Sequence, residues 1–367
     1  MAIVVTGARG FIGQNLMVHL AERGLDAVAI GTDNSESELR AALAGADFVF
    51  HLAGVNRPKA EEEFTYGNVD FTRRLCELLV ETGRRTPVVY TSSTQAERDN
   101  PYGRSKRGAE DLLLRYGEAT GAPVRIFRLA NVFGKWARPN YNSAVATFCH
   151  NIARGLEISV NDPASPLNLI YIDDVITAFL AVLDDPGEGA GFAEAGPVYA
   201  TTVGAVANAI RGFLGNRESL MIDRVGTGLT RALYSTFLSY LEPEAFAYET
   251  PLHGDPRGVF VEMLKTPDCG QFSYFTAGPG ITRGQHYHHT KTEKFLVLTG
   301  EARFGFRHIV TNERHDLVTR GGEGRIVETI PGWTHDITNI GESEMVVMLW
   351  ANEIFDRARP DTIAQKV

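Results

Sequence analysis

The stretch Thr6-Gly7-Ala8-Arg9-Gly10-Phe11-Ile12-Gly13 follows the apolar run Ile3-Val4-Val5 and opens an amphipathic segment. Glycines at these positions let the backbone turn sharply and come close to a pyrophosphate. The helix that starts near Phe11 offers unpaired N–H groups and a positive dipole end to the same charge. A glycine-rich turn alone is weak evidence, because any tight strand-to-helix turn favours glycine. Here the strand before it and the helix after it make a dinucleotide site the better reading. Gly7, Arg9, Gly10, Phe11, Ile12 and Gly13 are its candidate contacts.

Beyond this turn, short apolar runs alternate with helical patterns up to about residue 185, as in a parallel sheet with helices on both faces. Ile3–Val5, Ala27–Ile30, Phe48–Leu52, Val88–Tyr90 and Arg125–Arg128 are the expected strands. From about Gly258 the texture changes to short strands broken by Gly, Pro and Asn, which points to an antiparallel barrel. The run Leu241 to Pro251 carries two prolines between the unlike patterns, so the expected domains are residues 1–245 and 246–367.

Bulk properties narrow the function. At 367 residues the chain exceeds what one core usually organises, and a net charge of −9 argues against a nucleic-acid partner. Cys76, Cys149 and Cys269 are too few and scattered for a disulfide framework, which suits a reducing cytoplasm. The apolar N-terminus stops at Thr6-Gly7, too soon for a signal peptide or a membrane span. The expectation is a cytoplasmic enzyme without membrane contact.

Cofactor choice turns on the end of the second strand, where an acidic residue would bind the ribose hydroxyls. The sequence there is Ala29-Ile30-Gly31-Thr32, and Asp33 comes two residues late. Arg9 can neutralise a ribose phosphate, so NADP(H) is expected over NAD. Further on, Tyr102 and Lys106 stand four apart after Asn100-Pro101, a cap and a first-turn proline, and so share one helix face. A phenol works as an acid or base near neutrality only beside a cation, which Lys106 supplies. Ser93 ends a strand where its hydroxyl can hold a carbonyl oxygen; a plain cap serine looks the same.

Taken in order, the glycine turn, His51-Leu52-Ala53-Gly54, Asn68, Ser93 and Tyr102 through Lys106 resemble the extended short-chain dehydrogenase/reductase family. The resemblance implies that Ser93 and Tyr102 contact the reacting oxygen and that Lys106 orients the ribose and lowers the Tyr102 pKa. It also implies that Leu52, Ala53 and Gly54 line the cofactor and that Asn131, in Arg128-Leu129-Ala130-Asn131, touches the sugar nucleotide.

In the C-terminal half, His286 and His288 are two apart on an expected strand and so face the same side. Glu293 returns across a short turn, and His335 follows Pro331-Gly332-Trp333-Thr334. Three imidazoles and a carboxylate suit a divalent transition metal such as zinc, while iron, manganese and nickel accept the same set. His289 stands next to the cluster and is an alternative ligand. These two segments resemble the motifs of the cupin barrel, a jelly roll.

A reductase followed by a cupin is similar, over nearly the whole chain, to a family of bifunctional capsular-polysaccharide enzymes. That resemblance implies a UDP-linked 4-keto-6-deoxy-N-acetyl amino sugar as substrate, on the route to UDP-N-acetyl-L-fucosamine. The cupin would epimerise carbon 3 and the reductase would reduce the carbon 4 ketone with NADPH. It also implies a homodimer or higher homo-oligomer. Two other readings stay open: a sugar-nucleotide reductase with a purely structural metal barrel, and a non-catalytic dinucleotide-sensing regulator. Ser93, Tyr102 and Lys106 speak against the sensor, which needs no proton donor.

Overall fold

The computed structural model describes all 367 residues, Met1–Val367, which divide into two compact units. Met1–Arg211 and Arg231–Leu241 form the first; Gly212–Thr230 and Glu242–Val367 form the second. The chain thus passes from one unit to the other more than once.

The first unit is built on nine strands: β1 (Ile3–Thr6), β2 (Ala27–Ile30), β3 (Phe48–His51), β4 (Val88–Ser93), β5 (Val124–Leu129), β6 (Asn131–Phe133), β7 (Pro166–Tyr171), β8 (Ala190–Ala193) and β9 (Val198–Thr202). Six of them form a parallel sheet in the order β2-β1-β3-β4-β5-β8. The reversal between β1 and β3 is where such sheets open a crevice at their carboxyl ends. Continuous apolar runs mark strands covered on both faces: β1 and β3 are buried at every position. Helices Phe71–Glu81 and Pro101–Thr120 supply Leu75, Leu79, Leu113 and Tyr116 to the core on one side. All five expected strands are present. β4 runs three residues beyond Tyr90, because Thr91, Ser92 and Ser93 keep pairing with Phe127, Arg128 and Leu129. β6, β7 and β9 make a separate small sheet.

The second unit contains β10 (Leu252–Asp255), β11 (Gly258–Thr266), β12 (Gly270–Ala277), β13 (Thr282–Tyr287), β14 (Glu293–Thr299), β15 (Glu301–His308), β16 (Arg314–Arg320), β17 (Ile326–Glu328), β18 (Trp333–Asn339), β19 (Met345–Ala351) and β20 (Ile363–Ala364). They form two antiparallel sheets, β10-β11-β12-β19-β14-β17 and β16-β15-β18-β13-β20. Phe275, Phe295, Phe304, Ile337 and Val347 pack between them, each at alternate strand positions as a two-sheet barrel requires. The segment Gly212–Thr230 joins this unit through β11: Lys265 N donates to Leu220 O at 2.7 Å and Ile222 N to Lys265 O at 2.8 Å. No helix of the chain is long and apolar enough to cross a membrane.

Candidate active site and metal centre

The glycine turn between β1 and the helix Phe11–Glu22 is closed by Gly10 N donating to Gly7 O at 2.9 Å. Gly7 has φ +70, and a Cβ there would lie 2.7 Å from Ala53 N, so no other residue fits between this turn and the segment after β3. Gly13 is equally constrained, because its Cβ would meet Gly7 O at 2.2 Å. Leu52 N and Ala53 N donate to the backbone oxygen and Oγ1 of Thr6, which draws Leu52, Ala53 and Gly54 against the turn. The helix has Gly10 as its N-cap without any side-chain cap, so its first N–H groups are left for a ligand. Phe11 and Ile12 sit half-buried in its first turn, and Arg9 is exposed.

Arg9 extends from the glycine turn past Gly31, at the end of β2, to Asp33: Nη1 is 2.8 Å from the carboxylate. The guanidinium holds the Asp33 carboxyl below the usual range.

Tyr102 and Lys106 stand on the helix Pro101–Thr120, whose first turn is capped by Asn100 Oδ1 accepting from Gly103 N at 2.8 Å. Lys106 is buried, and its Nζ donates to Thr91 O at 2.8 Å and to Tyr90 Oη at 3.2 Å. It also lies beside Gly54: a Cβ on that glycine would be 3.2 Å from Nζ. The lysine thus joins the cofactor turn to the strand end that carries Ser93. Burial pulls the Lys106 ammonium down to about 8, with Glu110 pulling the other way. Burial raises the Tyr102 phenol, and the neighbouring Ser93 hydroxyl lowers it. Ser93 Oγ also accepts from Gln95 N at 3.2 Å, so it caps a turn as well.

Asn68 locks this floor. Its Oδ1 accepts from Val55 N at 2.8 Å, and its Nδ2 donates to Val55 O and to Ser105 Oγ. Asn131 stands apart: it is exposed at the start of β6 and donates to Asn168 O at 3.0 Å. Two residues to which the sequence assigned no role, Tyr90 and the motif residue His51, belong to the site. Tyr90 contacts Lys106, and His51, stacked on Tyr90, is fixed between Thr6 and Thr72 and held neutral by burial, its pKa about 3.

In the barrel, one potential ligand atom from each of His286, His288, Glu293 and His335 lies within 4.8 Å of the others. β13 carries His286, His288 follows directly after its last residue, β14 begins at Glu293, and β18 places His335 opposite His286. His288 Nε2 and His335 Nε2 are 3.3 and 3.4 Å from Glu293 Oε2. Ligands bonded at about 2.1 Å around a tetrahedral ion stand roughly 3.4 Å apart, so these spacings suit a zinc-like site. Burial lowers the His286 imidazole to about 4, which keeps it a neutral donor. Burial acts to raise the Glu293 carboxyl, but hydrogen bonds from His288 and His335, with Lys291 nearby, hold it well below its usual range.

The second nitrogen of His288, Nδ1, bonds the backbone oxygen of Asp361, which leaves Nε2 for the cluster. Asp361's carboxylate in turn accepts from the backbone N–H groups of His289, Thr290 and Lys291. His289 is exposed, stacks edge-on with Tyr287, and is outside the cluster.

Comparison with known proteins agrees with this division. Residues 3–193, more than half of the chain, match the model of the NAD dependent epimerase/dehydratase family. The chain belongs to that family. Its cofactor is accordingly a nicotinamide dinucleotide. Residues 253–363 match the polysaccharide biosynthesis C-terminal domain. A Pseudomonas aeruginosa protein, UDP-2-acetamido-2,6-beta-L-arabino-hexul-4-ose reductase, is 56% identical over 100% of this chain and 99% of its own. Among solved structures, the capsular polysaccharide assembling protein CapF from Staphylococcus aureus superposes with a TM-score of 0.93 at 40% identity, covering all of both chains. MoeE5 in complex with UDP-glucose and NAD, at 22% identity and a TM-score of 0.57, covers 65% of this chain and shares the fold.

Proposed function

We propose that this chain is a bifunctional nucleotide-sugar enzyme on the route to UDP-N-acetyl-L-fucosamine. Its barrel, of cupin type, epimerises carbon 3 of a UDP-linked 4-keto-6-deoxy-N-acetylhexosamine, and its N-terminal unit reduces the carbon 4 ketone. The observation that carries the reading is the 56% identity, over both units at once, to a reductase of a UDP-2-acetamido-hexul-4-ose. Two constellations give it chemistry: Tyr102 with Lys106 four residues on in the same helix and beside Gly54, and the His286, His288, Glu293, His335 cluster.

For reduction, bound NADPH supplies the hydride. Tyr102 gives its phenolic proton to the carbon 4 oxygen, and Ser93 holds that oxygen in place. Lys106 offsets the charge left on Tyr102, and Thr91 and Tyr90 fix the ammonium that does so. Gly7, Gly10 and Gly13 admit the pyrophosphate, with Phe11 and Ile12 in the helix turn that faces it and Leu52, Ala53 and Gly54 opposite. Arg9 would meet a ribose phosphate, which favours NADP(H). Asn131 is assigned to the sugar nucleotide.

For epimerisation, the proton on carbon 3 is acidic because the adjacent ketone can take up the charge, and its removal and return invert the centre. His286, His288, Glu293 and His335 would hold a divalent ion, zinc by preference, whose Lewis acidity would favour that loss. Reduction then removes the carbonyl and ends further epimerisation, a reason for both activities to share one chain. A cytoplasmic homodimer completes the reading.

The test is the 4-keto sugar in deuterated water with the metal-loaded enzyme. Deuterium entering carbon 3 without NADPH, and NADPH oxidation once it is added, are expected. Oxidation without exchange would leave a reductase with a structural barrel; neither would sink both activities.

A further inference from the structure

The barrel encloses a cavity of about 430 Å³ whose wall includes His286, Glu293 and His335 of the cluster and three cationic side chains, Arg257, Arg283 and Lys291. Two of the three have carboxylates of their own. Lys291 Nζ is 2.9 Å from Glu293 Oε1, and Arg257 forks onto Asp255. Arg283 forms no ion pair. Its Nε donates to Thr276 O at 3.1 Å, its guanidinium lies 5.2 Å from the Phe275 ring centre, and its Nη2 is buried without a partner. A charged donor withdrawn from water and left unpaired is costly, and such groups are normally found matched to an anion.

The backbone has been bent to bring it there. On a regular strand residues 283 and 286 would face opposite sides. The pairing of β13 with β18 shifts between Gly284 and His286, and Gln285 has φ +61, a conformation uncommon for a residue with a side chain. With that extra residue, Arg283 stands opposite Ile337 and His286 opposite His335, and all four line the cavity. Bulges of this kind re-aim side chains next to functional sites. The two opposed positions, 335 and 337, are two residues and so about 7 Å apart along β18. That is close to the span of a pyranose ring and its anomeric oxygen. A sugar whose carbon 3 and carbon 4 face the cluster would carry its phosphates toward Arg283. Gln271 adds a second unanswered group to the same wall: its Oε1 is buried and unpartnered, while Nε2 is committed to Glu262 and Ser273.

We propose that Arg283 is the anion-binding residue of a nucleoside-diphosphate subsite inside the barrel, so that each chain holds two separate places for a UDP sugar, one per unit. This rests on the reading that the barrel acts on the sugar nucleotide. Arg283 meets the diphosphate as a fork of donors, which a lysine matches only as a point charge.

The experiment is calorimetric titration of the full, metal-loaded chain with UDP, repeated with Arg283→Gln and Arg283→Lys. Two UDP molecules per chain are expected in the parent. In Arg283→Gln one site should weaken at least tenfold with the other unchanged, and Arg283→Lys should fall between. Unchanged metal content and NADPH binding in the variants would show that both units are folded. A single UDP site in the parent, or two sites that neither variant weakens, overturns the proposal. Exchange at carbon 3 in deuterated water, measured on the same samples, separates this from failure of the underlying reading. Loss of one UDP site in a chain that never exchanges would retain the subsite and remove the epimerase; parent-level exchange and UDP binding in Arg283→Gln would do the reverse.

Discussion

Lys106 donates to the hydroxyl of Tyr90 at 3.2 Å while its ammonium lies 4.8 Å from the centre of the same ring. Burial has brought that ammonium from its ordinary 10.5 to about 8. A lysine depressed in this way costs stability while it is charged, so the cost is full below about pH 8 and is relieved as pH rises toward 10.5. Activity runs the other way, because neutral Lys106 no longer offsets the charge on Tyr102. Ketone reduction should therefore fall as pH rises through about 8. Tyr90→Phe strips one acceptor from the ammonium and should move this alkaline limb to lower pH, with NADPH affinity kept. A pH profile of kcat for parent and variant checks it; superimposable limbs would remove Tyr90 from the arrangement.

Tyr102→Phe should abolish NADPH oxidation by the 4-keto sugar and leave the cofactor dissociation constant nearly unchanged. The glycine turn, Leu52 to Gly54 and Lys106 do not depend on that hydroxyl. A fully active variant would take Tyr102 out of the mechanism.

Arg9 and Asp33 form one exposed pair, so cofactor preference depends on both. NADPH should bind more tightly than NADH, and Arg9→Ala should narrow the difference by roughly tenfold, the loss of about one charge-assisted hydrogen bond. Asp33→Asn frees Arg9 and removes a negative charge, so it should widen the difference. Fluorescence titration of both cofactors decides; equal affinities in the parent would dismiss Arg9 as a phosphate contact.

Much of this arrangement was legible in the sequence because it is local. The i, i+4 pair Tyr102 and Lys106 sits on one helix whose period fixes its placement, and the glycine turn and the two-apart His286 and His288, the second just past the end of β13, are each set within a few residues of chain. Tyr90 was not legible as a partner of Lys106: the two are joined only by the packing of the helix Pro101–Thr120 against β4, and an apolar run such as Val88-Val89-Tyr90 reads as core. Nor was the place of Gly212–Thr230, whose link to β11 is made by backbone groups that carry no side-chain signature. β20 is two residues long, too short for any periodicity, yet it pairs with the strand that holds His286.

Replacing any one of His286, His288, Glu293 or His335 by alanine should release the metal, because a four-ligand site missing one donor must recruit water and loses its enclosure. An ion held by all four side chains would bind only the folded barrel, so each variant should also melt at lower temperature than the metal-loaded parent and resemble the metal-free parent. Metal content by atomic emission and melting by calorimetry check this. Replacing His289, outside the cluster, should leave metal content unchanged.

The C-terminal segment reaches back to the histidine cluster. Asp361 holds the turn before Glu293 with its carboxylate and His288 with its own backbone oxygen, while β20 and Gln365 N bond to β13 at His286 and Gln285. Burial acts to raise the Asp361 carboxyl, but the N–H groups of His289, Lys291 and Thr290 hold it far below its usual range, so this clasp persists in acid. An imidazole whose second nitrogen is fixed loses less freedom when the first binds a metal, and removing such partners typically lowers affinity about 10- to 100-fold. Asp361→Ala should therefore weaken zinc binding by about that much, and truncation after Arg359, which also removes β20, by more. The metal-free form of Asp361→Ala should melt somewhat below that of the parent, because the N–H groups of His289, Thr290 and Lys291 lose their acceptor, so the zinc affinity itself is the readout. Competition for zinc against a chelator of known affinity gives the answer: parent-like affinity in both the substituted and the truncated chain would show that the cluster stands without its C-terminal clasp.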